Sequence, residues 1–222
     1  ISDKSNHFNT YAYQQFGQKS IGSGCIMGIS EGADGQIWVC SDSEGLYRVN
    51  IRTGNIQNLP VDKGHPVSAT GTFTSVYTDK KGIVWIGTLL EGFIRFDPIT
   101  RQCEYFKHIQ GNDNSLSNDK VQCIAQDTQG RLWIGTSGGG LNCYDQTTGK
   151  FTNFLNTQGD LVPGLCNNWI NAIFCDSEGL LWIGTYKRLS VYNPQTGKFK
   201  MLSTSNGLLP NNIVFCITED KA

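Results

Sequence analysis

Four stretches of this 222-residue chain are nearly the same string: Gly35-Gln36-Ile37-Trp38-Val39-Cys40-Ser41, Gly82-Ile83-Val84-Trp85-Ile86-Gly87-Thr88, Gly130-Arg131-Leu132-Trp133-Ile134-Gly135-Thr136 and Gly179-Leu180-Leu181-Trp182-Ile183-Gly184-Thr185. Their tryptophans lie 47, 48 and 49 residues apart. A period in this range belongs to solenoids, propellers and arrays, where one supersecondary unit is copied and each copy buries its neighbour. Anything unique to the chain must then sit where the copies differ.

The third copy reads as four strands. Val121–Asp127 is a short apolar run, and Thr128-Gln129-Gly130 turns it into Arg131–Thr136. A glycine-rich turn leads to Leu141–Asp145, and Gln146–Gly149 leads on to Lys150–Phe154. These are ordinary strand lengths with hairpin-sized connections. Strands that are apolar on both faces need cover on both sides, which a lone four-stranded sheet lacks and radially stacked blades supply. The fold expected is therefore all-β, a β-propeller arc of four-stranded antiparallel blades. Whole blades fall at 25–60, 73–108, 120–156 and 169–203, with the end of a preceding blade in 1–24 and the first strand of a following one in 212–222. The indoles are expected to pack between blades. The glycine two residues after three of them fits a close approach by another backbone. The last turn of each copy starts at Asn50, Asp97, Asp145 or Asn193, whose side chain can accept an amide two residues on. It closes at Gly54, Arg101, Gly149 or Gly197, where a left-handed residue is wanted. Arg101 is the misfit, so strain or a different turn is expected there.

With a formal net charge of −1 and 17% charged residues, the chain has no basic field for nucleic acid. No apolar run approaches the ~20 residues of a membrane span, so any anchoring is expected through segments outside this chain. The eight cysteines sit at strand positions. Cys123 and Cys216 share a repeat position with Gly28, Ser75 and Ala172, and Cys40 stands where the other copies have glycine. Mostly buried thiols are expected, since free cysteine packs as a small hydrophobe. Without a Cys-x-x-Cys, and with His7, His65 and His108 far apart, no metal or other cofactor is expected.

The strings Asn114–Val121, Asp127–Thr136 and Gly138–Leu141 resemble two-component regulator propeller repeats, and Asn206–Asn212 fits the same family's approach to a further blade. The resemblance implies a propeller in the periplasmic sensor region of a hybrid two-component histidine kinase, as in Bacteroides-type bacteria. It implies a small-molecule or oligosaccharide ligand, no catalysis in this segment, and a membrane span and kinase elsewhere. Rings of this family are larger than four blades, so the chain is expected to be an arc whose exposed end strands offer pairing with a second copy as a homodimer.

In a propeller, the loops joining blades share one face with the turns between second and third strands. On that face repeat four drops a residue and its glycine, giving Tyr186-Lys187-Arg188, and Trp169 replaces the Lys120 of repeat three. An aromatic ring beside cationic donors suits a sugar's apolar face together with its hydroxyl or carboxylate groups. The competing reading is a solvated turn and a filler indole. Asp42, Glu44 and Glu91 are further candidates on the same face. The Ser137–Gly140 run lacks the helix and Lys-Ser/Thr of a phosphate loop and aligns with a hairpin turn. Asp79, Asp127 and Asp176 recur at strand ends as turn formers, and no nucleophile-and-base arrangement emerges. Two other functions compete: a propeller lyase or glycosidase acting on polysaccharide, and a protein-interaction scaffold.

Overall fold

The computed structural model describes residues 21–22, 24–32, 35–59, 72–157, 164–202, 204 and 212–220. The first blade comprises β1 (Ile26–Glu31), β2 (Gln36–Ser41), β3 (Gly45–Asn50) and β4 (Asn55–Leu59). The second has β5 (Phe73–Thr78), β6 (Val84–Thr88), β7 (Phe93–Phe96) and β8 (Cys103–Phe106). The third has β9 (Val121–Gln126), β10 (Leu132–Thr136), β11 (Leu141–Asp145) and β12 (Lys150–Phe154). The fourth has β13 (Ile170–Cys175), β14 (Leu181–Thr185), β15 (Leu189–Asn193) and β16 (Lys198–Leu202). Each blade is a four-stranded antiparallel sheet in sequence order. The first strands of successive blades lie against one another, which makes them the inner strands of the arc. The strand expected over Tyr11–Phe16 and the loop Pro60–Gly71 lie outside the described residues. Residues 212–220 run beside blade four without forming a regular strand.

Three apolar cores fill the seams between blades, and each seam repeats one contact. Trp38 meets Phe96 edge-to-face at 6.3 Å, Trp85 meets Tyr144 at 6.1 Å and Trp133 meets Tyr192 at 5.5 Å. In each case a second-strand indole packs on a third-strand ring of the next blade. This geometry is favourable for aromatic quadrupoles and adds to the area the rings bury. Trp182 has no following third strand among the described residues and is only half-buried.

The aspartates considered as carboxylates for chemistry are structural. The Asp127 Oδ1 accepts the Gln129 and Arg131 amides at 3.0 and 2.9 Å, and its Oδ2 accepts the Trp133 indole N–H at 2.9 Å. Asp79 holds Trp85 and Asp176 holds Trp182 in the same way, at 3.0 and 2.6 Å. One carboxylate thus closes the first turn and satisfies the buried indole six residues on.

The glycines of β6, β10 and β14 are crowded as expected, but chiefly by side chains rather than by another backbone. A Cβ on Gly135 would stand 2.6 Å from the Cys123 sulfur and from Ile170 of the next blade. Blade one solves the same crowding by exchange: Cys40 replaces the β2 glycine, and its cross-strand partner is Gly28. Arg101 adopts the same turn as its glycine counterparts rather than another one. Its φ is +59°, and its amide reaches the Asp97 carbonyl at 2.7 Å, as Gly149 reaches Asp145 at 2.8 Å. Strain is the outcome at this position.

None of the eight cysteines is in a disulfide, and their burial is mixed. Cys40, Cys143 and Cys166 are buried, Cys103, Cys123 and Cys175 are half-buried, and Cys25 and Cys216 are exposed. The expectation of mostly buried thiols fails for the last two because they flank the outermost seams, where no further sheet covers them among the described residues.

Candidate functional site

Each first strand carries a β-bulge where it leaves its lead-in loop, between Ile26 and Gly28, Phe73 and Ser75, and Ile170 and Ala172, with the matching irregularity opposite Gly135 and Thr136 in blade three. Bulges re-aim side chains at strand ends and beside sites. Here the bulged Thr74 donates its hydroxyl to the Val121 carbonyl at 2.6 Å, and Asn171 donates its amide to the Val214 carbonyl at 3.0 Å. In blades two and four the bulge therefore stitches the inner strand to the next unit, whereas Gln122 of blade three bonds Ser137 of its own blade.

The inter-blade loops and the second turns do share one face. Gly138 and Gly140 donate their amides to the Asn168 carbonyl at 2.9 and 3.0 Å, and Gly92 donates to Asp119 at 3.0 Å. In blades two and three this face is closed by its own hydrogen bonds. The Asn142 side chain accepts the Ser117 amide at 2.8 Å, and the Ser117 hydroxyl donates to the Gly139 carbonyl at 2.6 Å.

Blade four differs for a local reason. With one residue fewer, its turn closes between Thr185 and Arg188 without a left-handed residue. The Thr185 hydroxyl donates to the Arg188 carbonyl at 2.7 Å and accepts the Lys187 and Arg188 amides, both at 3.1 Å. This tight turn projects Tyr186 and Lys187 outward. The Tyr186 amide donates to the Trp169 carbonyl at 3.2 Å, so the two residues are backbone neighbours. Their rings meet edge-to-face at 5.8 Å and 77° and remain 48% and 51% exposed.

Beside Trp169 lies a depression of about 310 Å³ lined by Gly138, Asn156, Cys166, Asn167, Asn168 and Lys187. Its backbone is held rigidly. Asn168 accepts the Asn156 amide at 2.7 Å and donates to the Asn156 carbonyl at 3.2 Å, while Asn167 accepts the Trp169 amide at 2.8 Å. Small-molecule sites combine this kind of concavity with a few fixed polar groups and aromatic walls.

Of the sequence candidates, Trp169 and Lys187 line this depression, Tyr186 packs on the Trp169 ring, and Arg188 sits at the closing turn. The three acids belong to other blades and serve their own turns. Asp42 accepts the Cys25 amide at 3.0 Å, and Glu44 accepts the Tyr47 hydroxyl at 2.9 Å. Burial, followed by the Glu44 carboxylate, pushes the Tyr47 hydroxyl above its ordinary value. Glu91 pairs with Lys107. Sequence reasoning missed Phe215, which is 68% exposed and meets Tyr186 edge-to-face at 6.3 Å. Its repeat position holds Met27, Thr74, Gln122 and Asn171 elsewhere, and the change to an aromatic ring was the available signal.

Stacked four-stranded blades with aromatic seams define the class, a β-propeller. The family described as two component regulator propeller matches residues 115–138 and 164–187, within blades three and four and their lead-in loops. Histidine kinase P4 of Formosa agariphila is 38% identical over 141 residues, covering 62% of this chain and 10% of that protein. The extracellular domain of a hybrid two component system from B. thetaiotaomicron superposes with a TM-score of 0.64 at 23% identity, over 86% of this chain and 24% of that one. Virginiamycin B lyase from Staphylococcus aureus shares the fold with a TM-score of 0.62 at 14% identity, over 82% of this chain and 56% of the lyase.

Proposed function

We propose that this chain is the extracytoplasmic, periplasmic sensor part of a two-component signalling protein, binding a saccharide through the face that carries Trp169, Tyr186, Lys187 and Arg188. Catalysis is assigned to parts of the protein outside this chain. The observation that carries the reading is the pair of half-exposed rings beside the asparagine-lined depression, on a face that blades two and three close with their own hydrogen bonds. Rings offer a sugar's C–H face an apolar surface, and the depression offers its hydroxyls fixed polar partners. The names of the relative and of the solved ectodomain support the signalling context.

The lyase reading has less behind it. Asp79, Asp127 and Asp176, the recurrent carboxylates, are engaged by indoles and turn amides. A thermal-shift and calorimetry screen of the intact protein against oligosaccharides tests the proposal. A saccharide hit whose binding weakens by tenfold or so in Trp169→Ala is expected from losing an aromatic contact. Release of shortened or unsaturated products would replace the sensor reading with an enzymatic one.

A further inference from the structure

The opposite face of the arc carries the turns between first and second strands and between third and fourth strands. At one seam of that face the copies part company. A pocket of about 260 Å³ there is walled by Lys80 and Lys81 from blade two and by Gln126, Thr128, Gln146 and Thr147 from blade three. Lys80-Lys81 stands where the other copies have Ala33-Asp34, Thr128-Gln129 and Ser177-Glu178. Gln146 stands where they have Ile51, Pro98 and Pro194, and Gln126 where they have Glu31, Thr78 and Cys175. The sister copies build the same turns without these residues, so the fold does not require them. Three departures from the repeat meet in one pocket.

The backbone around the pocket is fixed. Asp79 accepts the Lys81 and Ile83 amides at 2.9 and 3.0 Å, and Asp145 accepts the Thr147 amide at 2.8 Å. The Gln126 and Gln146 side chains both donate to the Gly130 carbonyl, at 3.2 and 2.9 Å, which ties the two turns of blade three together. With its nitrogen so engaged, the Gln126 Oε1 is buried and takes no hydrogen bond from any described residue. A buried acceptor of this kind calls for a donor from water or ligand. The carboxylate in the wall, Asp127, is already engaged by the Arg131 guanidinium at 2.7 Å and the Trp133 indole at 2.9 Å. The Lys80 and Lys81 ammonium groups have no ion-pair partner among the described residues, where Lys107 has Glu91 and Arg131 has Asp127.

From this juxtaposition we infer that the seam between blades two and three binds a phosphate group, at a site separate from the saccharide face. The walls offer two ammonium groups and two hydroxyls, and lysine serves phosphate as a point charge. The one unmet acceptor, the Gln126 Oε1, asks for a proton, directly or through a bridging water. Hydrogen phosphate brings that proton, and sulfate does not. Because the lysines belong to blade two and the other walls to blade three, the bound ion clasps the two blades. A ligand held only by the folded arrangement stabilises it in proportion to its occupancy.

The experiment titrates the intact protein with sodium phosphate, glycerol 3-phosphate and sodium sulfate at matched ionic strength, by calorimetry, with melting temperature and amide chemical shifts recorded in parallel. Saturable phosphate binding is expected, tighter than that of sulfate, with a raised melting temperature and shift changes centred on residues 80–81, 126–130 and 146–147. Lys80→Thr combined with Lys81→Gln writes blade three's own turn into blade two, so this variant is expected to melt with the parent in the absence of phosphate. Its phosphate affinity is expected to fall at least roughly tenfold, from the loss of charge-assisted hydrogen bonds. Lys120→Gln combined with Lys200→Gln removes the same charge from exposed positions elsewhere and is expected to leave affinity unchanged. Glycerol 3-phosphate binding alongside phosphate assigns the site to phosphate esters as well, and its exclusion assigns the site to the free ion. Phosphate binding that survives the Lys80 and Lys81 changes, or that falls as far in the Lys120 and Lys200 variant, overturns the inference. So does sulfate binding as tight as that of phosphate, or the lack of any saturation by about 10 mM phosphate, weaker than the ordinary range of specific sites.

Discussion

Blades three and four have nearly the same second strand, Leu132-Trp133-Ile134-Gly135-Thr136 and Leu181-Trp182-Ile183-Gly184-Thr185, yet these strands lead different lives. Trp133 is 1% exposed, walled by Phe154 and Tyr192, with the Arg131 guanidinium 5.6 Å from the ring centre. Trp182 makes the same hydrogen bond to its aspartate but borders a cleft of about 530 Å³ with Phe174, Leu189 and Cys216. The repeat string therefore encodes a blade that is complete in its hydrogen bonds and incomplete in its packing. The neighbour finishes it. Where blade three spends its loop face on self-closure, blade four leaves aromatic and polar groups open. The same unit can thus act as scaffold or as site.

The largest effect should come from truncating the indoles. Trp133→Ala removes a fully packed ring from a seam and is expected to cost about 3–5 kcal/mol, as large-to-small core changes do. Trp182→Ala should cost clearly less, about half, because among the described residues no third-strand ring packs on that indole. Urea unfolding of both variants measures the difference. Equal losses would mean that the second strand's stability is set within the blade, and the contrast drawn here would break.

Next comes overpacking. Gly135→Val drives a side chain into Cys123 and Ile170, both held in sheets, and is expected to cost about 1–3 kcal/mol. At Gly184 the nearest obstacle is Val214, 2.8 Å from the added Cβ, in residues 212–220 that form no regular strand. Gly184→Val should therefore shift the unfolding midpoint by well under half as much.

Much of this architecture was legible because repetition multiplies a weak signal. One Asp-x-x-Gly-x-x-Trp string suggests a turn, and three copies of it beside the first repeat's Gly32-to-Trp38 variant assign strands, turns and seams. The Asx turns at Asn50, Asp97, Asp145 and Asn193 followed from side-chain length alone, and each accepts the amide two residues on at 2.8–3.0 Å. The site was legible in part, since a deleted glycine and a substituted lysine flagged Tyr186 and Trp169. Phe215 was hidden because its partner lies 29 residues away in the chain (215 minus 186) and the contact exists only across a seam. Asp42, Glu44 and Glu91 illustrate the converse difficulty. A carboxylate near a turn reads equally as a ligand donor and as a cap, and only coordinates show that each is engaged locally.

Alkaline pH sharpens the contrast at a single repeat position. Cys123 lies under Gly135, and burial pushes its thiol from an ordinary 9.0 up to about 12, although the residue as a whole keeps some solvent contact. Cys216, its counterpart after blade four, is exposed. A buried thiol holds its proton in the folded chain while the unfolded chain releases it, so stability is intact below about pH 9 and falls as pH rises towards 12. Between pH 8 and pH 10 the parent should lose about 1 kcal/mol more than Cys123→Ala does. At pH 8 a thiol reagent should modify Cys216 well before Cys123. Equal labelling rates would place the two sulfurs in like environments.

The smallest effect provides a ruler for the others because it is internal to a blade. Arg101 holds φ at +59° in a turn that three sister copies build with glycine. A left-handed non-glycine residue carries a steric cost, partly offset by the chain entropy that glycine loses on folding, so Arg101→Gly should stabilise by roughly 0.5–1 kcal/mol. The reverse change, Gly149→Arg in blade three, should cost the same, since nothing lies within 4 Å of a Cβ placed there. If the two magnitudes agree, the outer turns are independent of the seams, and the gap between Trp133 and Trp182 can be assigned to blade-on-blade packing. A Gly149→Arg penalty several times larger than the Arg101→Gly gain would instead show that blade three is rigid out to its last turn. The contrast between the two blades would then be one of whole-blade stiffness rather than of seam packing.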